Sequence, residues 1–338
     1  MRLSVIIPAR NEADCLGDCL RSLVAQQEDI FRLNVDWELF VVDDGSTDET
    51  RKIANSFEGV KVFAAQSLPD KWTGKANAIW TVVQQAQGEW LLFTDADTIH
   101  EPGNLRRALH EAEHHKVAML SYSPKQLVSG FWTRAVMPLV FAELAKAFPP
   151  EKVSNSNLRL AAANGQFLLA ARSPYFAIGG HKAVADRVLE DVELATLFKL
   201  RHHAIRFRYA PDAVSARMYR SLSQMIEGWT KNLALLFGNP LMLAAWRLLD
   251  LLLLIGLPLL AWYLPAPLLW KGVFVLLWLR VWWRYYRSVR KSNFPPADCL
   301  LSVFGLPLFL WLLWNSWFRR HVVREVSWKG RTYNFRGR

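Results

Sequence analysis

VVDDGSTDET, residues 41 to 50, is a strand-like apolar run that ends in two adjacent carboxylates. A strand opening into Gly-x-Gly-x-x-Gly would mark a dinucleotide fold, whose glycines let a pyrophosphate approach the backbone. This strand delivers negative charge to the same place. Working outward, LSVIIPA (3–9), LFVVDD (39–44), VKVFAA (60–65) and WLLFTDAD (90–97) all read as strands. Helix-like stretches follow at 12–27, at 47–57 with Ser46 or Thr47 as cap, and at 74–87. Alternating strand and helix predicts an α/β domain: a mostly parallel sheet with helices on both faces, its ligand lying beyond the carboxyl ends of the strands.

The polar clusters fall at those ends. Pro8 to Glu12 follows the first strand, Asp43-Asp44-Gly45-Ser46 the second, and Asp95-Ala96-Asp97 the fourth. Carboxylates repel a bare phosphate, but they suit two other tasks. They accept hydrogen bonds from a nucleobase or ribose, and they hold a hard divalent cation that itself grips a diphosphate. An isolated Asp-x-Asp is common by chance; at the end of a buried strand, beside DDGS on another strand, it is far more specific.

Composition divides the chain. Residues 1–240 carry 27 Lys+Arg and 27 Asp+Glu, whereas 241–338 carry 14 against 3, so the whole excess of +11 is C-terminal. A nucleic-acid binder would carry its basic stripe on the folded domain. Here the basic residues flank apolar segments, which points to a membrane and away from nucleic acid. The segments are 241–264, in which Arg247 and Asp250 stand one turn apart and can pair, 266–286, and 299–318, broken near its middle by Gly305 and Pro307. Basic residues cluster in the loop after the second segment and in the tail, and three crossings cannot put both on the cytoplasmic side. The expectation is therefore two spans, with 299–318 re-entrant or interfacial and with domain, loop and tail cytoplasmic. No signal peptide is expected ahead of MRLSVIIPAR, because the run is short and Pro8 interrupts it. Cys15, Cys19 and Cys299 read as packed thiols, and His114/His115 and His202/His203, adjacent on helices, point too far apart to chelate one ion.

PARNE (8–12), DDGSTDET (43–50), DAD (95–97) and ED (190–191), in this order, resemble the motifs of the family 2 inverting glycosyltransferases of the GT-A fold. The likeness covers most of residues 1–240. KWTGKA (71–76), GGHK (179–182), RMYRSLSQMIEGWTKN (217–232) and SWKGRTY (327–333) are similar to bacterial carotenoid-acid and hopanoid-associated glycosyltransferases. Processive relatives carry Gln-x-x-Arg-Trp where this chain reads Glu227-Gly-Trp-Thr-Lys231, which argues against a polysaccharide synthase.

The resemblance implies a UDP-sugar donor, a lipid acceptor, Mg²⁺ or Mn²⁺, and an enzyme in the cell (inner) membrane, multi-pass, with a cytoplasmic catalytic domain over 1–218. Pro8, Ala9, Arg10, Glu12, Asp43, Asp44, Lys75 and Asp95 are then donor-binding, joined by Trp229, Lys231 and Arg331 from the C-terminal half. Asp97, with Asp95, holds the metal. Asp191 is the general base beside Glu190, and Gly165, His181 and Lys182 lie on the acceptor side. Bland readings compete: Asp44 as a helix cap, Lys75 as an exposed helical lysine, Glu190 and Asp191 as an acidic first turn favoured by the helix dipole. Residues 219–240 read as an amphipathic helix lying on the bilayer, with a core helix as competitor, and 131–148 as a second interfacial stretch. The tail, 319–338, reads as a basic cytoplasmic extension. Two other functions stay open: transfer to polyprenyl phosphate, and a non-catalytic nucleotide-sugar or lipid binder, which has no need for Asp95, Asp97 and Asp191 together.

Overall fold

The computed structural model describes residues 1–26 and 30–334. The chain forms two compact units, one of Met1–Leu127 with Phe148–Met218, the other of Val128–Ala147 with the chain from Tyr219 onward. The expected domain over 1–218 is thus interrupted, because residues 128–147 leave it for the C-terminal unit.

The first unit is built on eight strands: β1 (Leu3–Ala9), β2 (Trp37–Asp43), β3 (Val60–Ala64), β4 (Trp90–Phe93), β5 (Thr98–His100), β6 (Met119–Gln126), β7 (Leu168–Ala171) and β8 (Ile205–Ala216). Their order is β3-β2-β1-β4-β7-β6-β8-β5. The pairs within β3-β2-β1-β4 are parallel, as is β6-β8, while β7 and β5 run antiparallel to their neighbours. Around the sheet stand α1 (Leu16–Val24), α2 (Thr50–Asn55), α3 (Gly74–Val83), α4 (Asn104–His114), α6 (Pro150–Val153), α7 (Arg172–Ala177), α8 (Gly180–Ala183) and α9 (Glu190–Leu200); α5 (Phe131–Ala147) belongs to the second unit.

The strand alternation sorts two cores. Val5, Ile7, Leu39 and Val41 face one side, with Leu20 of α1 and Leu109 of α4; Ile6, Phe40 and Val42 face the other, with Ile79 of α3 and Phe198 of α9. Because both faces are covered, β2 reads as a continuous apolar run rather than an alternating one. Its interior charge, Glu38, is buried but paired: Lys61 lies 2.7 Å from Oε2, and Ser4 Oγ donates to Oε1 at 2.6 Å; the other, Asp43, ends the strand.

The second unit contains α5, α10 (Leu222–Leu236), α11 (Pro240–Tyr263), α12 (Leu268–Val289), α13 (Pro296–Phe318), β9 (Glu325–Trp328) and β10 (Arg331–Asn334). Several expectations change here. The 131–148 stretch is not interfacial, for Val136, Leu139 and Val140 are buried inside the unit, where α5 packs on α13. The amphipathic face of α10, with Met225, Trp229 and Leu233, is likewise buried against protein, so the competing core-helix reading is the one observed. α13 is not broken at its middle. Gly305 allows close approach to α5, since a Cβ there would overlap the Ala135 carbonyl.

Among the described residues two helices are long and apolar enough to cross a membrane, Pro240–Tyr263 and Pro296–Val323, with mean hydropathy 2.0 and 1.8. The expected second span is not one of them, because α12 carries Lys271, Arg280, Arg284 and Arg287. Arg247 does pair with Asp250, at 2.7 Å, and a further ion pair joins Arg247 to Glu143 of α5, while Arg284 of α12 pairs with Asp250. Three helices are thus joined by one charge network, buried at Glu143, Arg247 and Asp250 and exposed at Arg284. The tail is no plain extension: β9 and β10 form an antiparallel hairpin. The Trp328 ring lies beneath Lys231 Nζ, 4.5 Å from the ring centre.

Candidate functional site

Parallel pairing brings the expected motifs to one edge. Ala9 at the end of β1 is opposite Asp43 at the end of β2, and β4 lies on the other side of β1, so the strands leading to residues 10, 44 and 95 are neighbours. The loops are then laced together. Arg10 Nη1 donates to the Asp44 carbonyl at 2.6 Å, Asp44 N to the Ala9 carbonyl at 2.8 Å, and Ser46 N to Asp43 Oδ1 at 3.1 Å. Asn11 N donates to Ser46 Oγ, and Glu12 N to Thr50 Oγ1 at 2.8 Å. Asp44 and Ser46 therefore do not cap α2, which begins at Thr50 without a side-chain cap; their loop holds the Pro8–Glu12 segment instead. Gly45 has φ +70°, a left-handed conformation that favours glycine in this turn.

Lys75 is the centre of a charged cluster. It stands in the first turn of α3, whose Thr73 Oγ1 accepts from Ala76 N, and Thr73 N donates to the Ala185 carbonyl at 2.7 Å, which ties that turn to the segment leading into α9. From there Nζ reaches 2.8 Å from Asp95 Oδ1 and 2.9 Å from Glu190 Oε1. The exposed-lysine reading is excluded, for its side chain is only 30% accessible. Burial alone would lower its pKa, but Asp95, Glu190 and Asp191 outweigh this and hold it well above the usual lysine value.

Asp191 is fixed by two backbone donors, Gly165 N to Oδ2 at 2.7 Å and Val192 N to Oδ1 at 2.8 Å. Burial, and then the neighbouring Glu190, push its pKa up to about 6, against the opposing pull of Lys75 and the two N–H groups. A Cβ at Gly165 would lie 2.6 Å from Lys75 Nζ and 3.4 Å from Asp191 Oδ2, so a side chain there would push the Lys75 ammonium from its place. The structure thus brings Lys75, Asp95, Gly165, Glu190 and Asp191 into one cluster. Glu190 and Asp191 also open α9, so the acidic first turn and the cluster are the same residues.

Other expected residues fall differently. His181 is 2% exposed and packs edge-on against Phe93, its backbone N–H donating to Tyr175 Oη, which is also hydrogen-bonded to His181 Nδ1 at 2.9 Å. It is a core side chain, kept neutral by burial and by Lys75, with a pKa of about 3. Lys182 is exposed. Trp229 is buried in the second unit, its Nε1 donating to Met137 Sδ, and Lys231 and Arg331 also lie in that unit, on α10 and at the start of β10.

Among the described residues no three His, Cys, Asp or Glu side chains gather as a cage for a metal. The donors that are present, Asp95 and Asp97 at one strand end, are hard carboxylate oxygens, and Asp95 already engages a cationic group. That set fits a Mg²⁺-like ion taking its remaining ligands from a diphosphate and water. Sequence reasoning passed over Thr94, Thr98, His100 and Gln166, buried polar residues between the two halves of the site. Thr94 and Thr98 carried one signal, as polar side chains bracketing an Asp-x-Asp; His100 and Gln166 carried none.

Residues 4–155 match the family model described as Glycosyl transferase family 2. The 4,4'-diaponeurosporenoate glycosyltransferase of Staphylococcus aureus strain USA300 is 26% identical over 344 residues, covering 98% of this chain and 88% of that protein. The protein of the same name from strain MRSA252 is 27% identical over 348 residues with the same coverage. Among solved structures, a mannosyltransferase from Pyrobaculum calidifontis, in complex with GDP-Man and Mn²⁺, superposes with a TM-score of 0.52 at 17% identity over 96% of this chain and 88% of that one. That likeness concerns the fold.

Proposed function

We propose that this chain is a family 2 glycosyltransferase of GT-A fold that moves a sugar from a UDP-sugar to a lipid carboxylic acid of the carotenoid-acid type, with inversion, at a membrane surface. The observation that carries the reading is the cluster around Lys75, which ties a strand-end Asp-x-Asp to a carboxylate held by two N–H donors. A plain binding protein needs no such charge arrangement. Near-full-length similarity to the diaponeurosporenoate glycosyltransferases supports the acceptor class, and the two long apolar helices support attachment to a membrane.

In this reading Asp43 and Asp44 accept from the uracil or ribose, with Arg10 fixing their loop. Asp95 and Asp97 hold the divalent cation, which when bound offsets charge growing on the departing diphosphate. Lys75, between Asp95 and Glu190, adds a fixed positive charge near the same leaving group. The acceptor oxygen attacks the anomeric carbon from the opposite face, and Asp191 takes its proton where the acceptor is an alcohol. A carboxylate acceptor arrives ionised near neutral pH, so for it Asp191 orients more than it deprotonates.

The test is to incubate purified protein with UDP- and GDP-sugars, Mn²⁺ and a carotenoid acid, and to analyse extracted lipid by mass spectrometry. A glycosyl ester formed from the UDP-sugar and lost on chelation supports the reading. Turnover that survives EDTA removes the metal, and a product found only with polyprenyl phosphate, labile to mild acid, removes the acceptor class.

A further inference from the structure

His100 lies outside every motif named so far, at the end of β5, and is 3% exposed. Its Nε2 is 3.2 Å from Thr94 Oγ1 and 3.3 Å from Thr98 Oγ1, and its Nδ1 is 3.2 Å from Asn104 Nδ2. Thr94 Oγ1 is placed to donate to the Gln166 carbonyl at 2.7 Å, and Thr98 Oγ1 to the Asp95 carbonyl at 2.7 Å, while the two hydroxyls are also 3.0 Å from each other. With both hydroxyl hydrogens on these carbonyls, Nε2 carries the imidazole proton and donates to the hydroxyls, and Nδ1 accepts from Asn104. Burial keeps the ring neutral, with a pKa of about 3.

The two carbonyls at the ends of this relay belong to the two halves of the site. Asp95 is the strand-end carboxylate that meets Lys75, and Gln166 follows Gly165, whose N–H holds Asp191. We infer that His100 is a positioning residue for glycosyl transfer: through Thr94 and Thr98 it locks the turn bearing Asp95 and the turn bearing Gly165 in one register, so that the leaving-group side and the acceptor side keep their spacing.

The inference rests on the glycosyltransfer reading, and the experiment separates the two. Transfer to an alcohol analogue of the acceptor is measured for wild type, His100→Leu, His100→Gln, Thr98→Val and Thr98→Ser, each with its melting temperature. Gln retains an N–H donor near the position of Nε2, and Ser retains the hydroxyl. We expect kcat to fall about tenfold or more in the Leu and Val variants and to return to within about threefold of wild type in Gln and Ser. KM for the UDP-sugar should stay within about twofold throughout, because donor binding engages one half of the site only. Selective ¹⁵N labelling of histidine should show His100 protonated at Nε2, with the ring neutral at pH 6. Leu and Val variants that melt like wild type and keep its kcat overturn the inference, as does an Nδ1-protonated ring. A wild type that transfers no sugar to any acceptor overturns the functional reading, and the inference with it.

Discussion

Replacing Lys75 by Met removes the cation that pairs with Asp95 and Glu190 and acts on Asp191. A single point lies 2.6 Å from Lys75 Nζ and 3.4 Å from Asp191 Oδ2, so these charges are no more than about 6 Å apart. At an effective dielectric near ~20 their attraction is worth roughly 3 kcal/mol, or about two pH units on Asp191. The side chain of Lys75 is 30% exposed, so solvent screening reduces this to about one unit. The sign is unambiguous. Asp191 is already raised from 3.8 to about 6, so the fold favours its protonated form, and that contribution to stability is lost as pH rises through this window. Without Lys75 the window moves upward. The assay is kcat/KM for transfer to an alcohol analogue between pH 5 and 9, which reports groups of the free enzyme. Wild type should show an acidic limb near 6, and Lys75→Met the same limb displaced upward by about one unit, with a lower plateau. A limb that stays in place or moves to lower pH would refute the electrostatic link between Lys75 and the base.

Asp191→Asn should cost about 10²-fold or more with an alcohol acceptor and much less with a carboxylate one, read from kcat for the pair; equal losses would contradict the assigned role. In Gly165→Ala the added methyl meets the Lys75 ammonium, so kcat/KM should fall at least about tenfold while the melting temperature changes little; a fully active variant would show that the crowding is relieved without consequence. Gly305→Ala forces α13 off the Ala135 carbonyl and should destabilise the second unit by about 1–3 kcal/mol despite its better helix propensity, seen as a lower midpoint in thermal or denaturant unfolding; an unchanged midpoint would mean that the helices separate freely.

The strand-end carboxylates could be read in advance because a parallel sheet buried on both faces writes long apolar runs, and the polar residues ending those runs stand out. VVDD and LLFTDAD are such endings, and β1 does lie between their strands. What could not be read was pairing across distance. Lys75 was expected at the donor, with an exposed helical lysine as the competing reading, but its pairing with Asp95 and Glu190 depends on elements far apart in the chain. α10 shows the complementary difficulty: Met225, Trp229 and Leu233 have the spacing of an apolar helix face, which a bilayer and a protein core impose alike. The loss of 128–147 to the second unit was equally hidden, since FWTRAVMPLVFAELAKAF carries its apolar residues with no signal of which core they enter. Gly305 and Pro307 read as a break because both disfavour helix interiors, yet close packing on α5 uses the missing side chain at 305.

The central claim is a single displacement in which the acceptor attacks opposite the departing diphosphate, with no covalent sugar on the protein. It is tested most directly by the anomeric configuration of the glycolipid, read by proton NMR on product made from an α-linked UDP-sugar. The account expects a β-linked product; an α-linked one would contradict it.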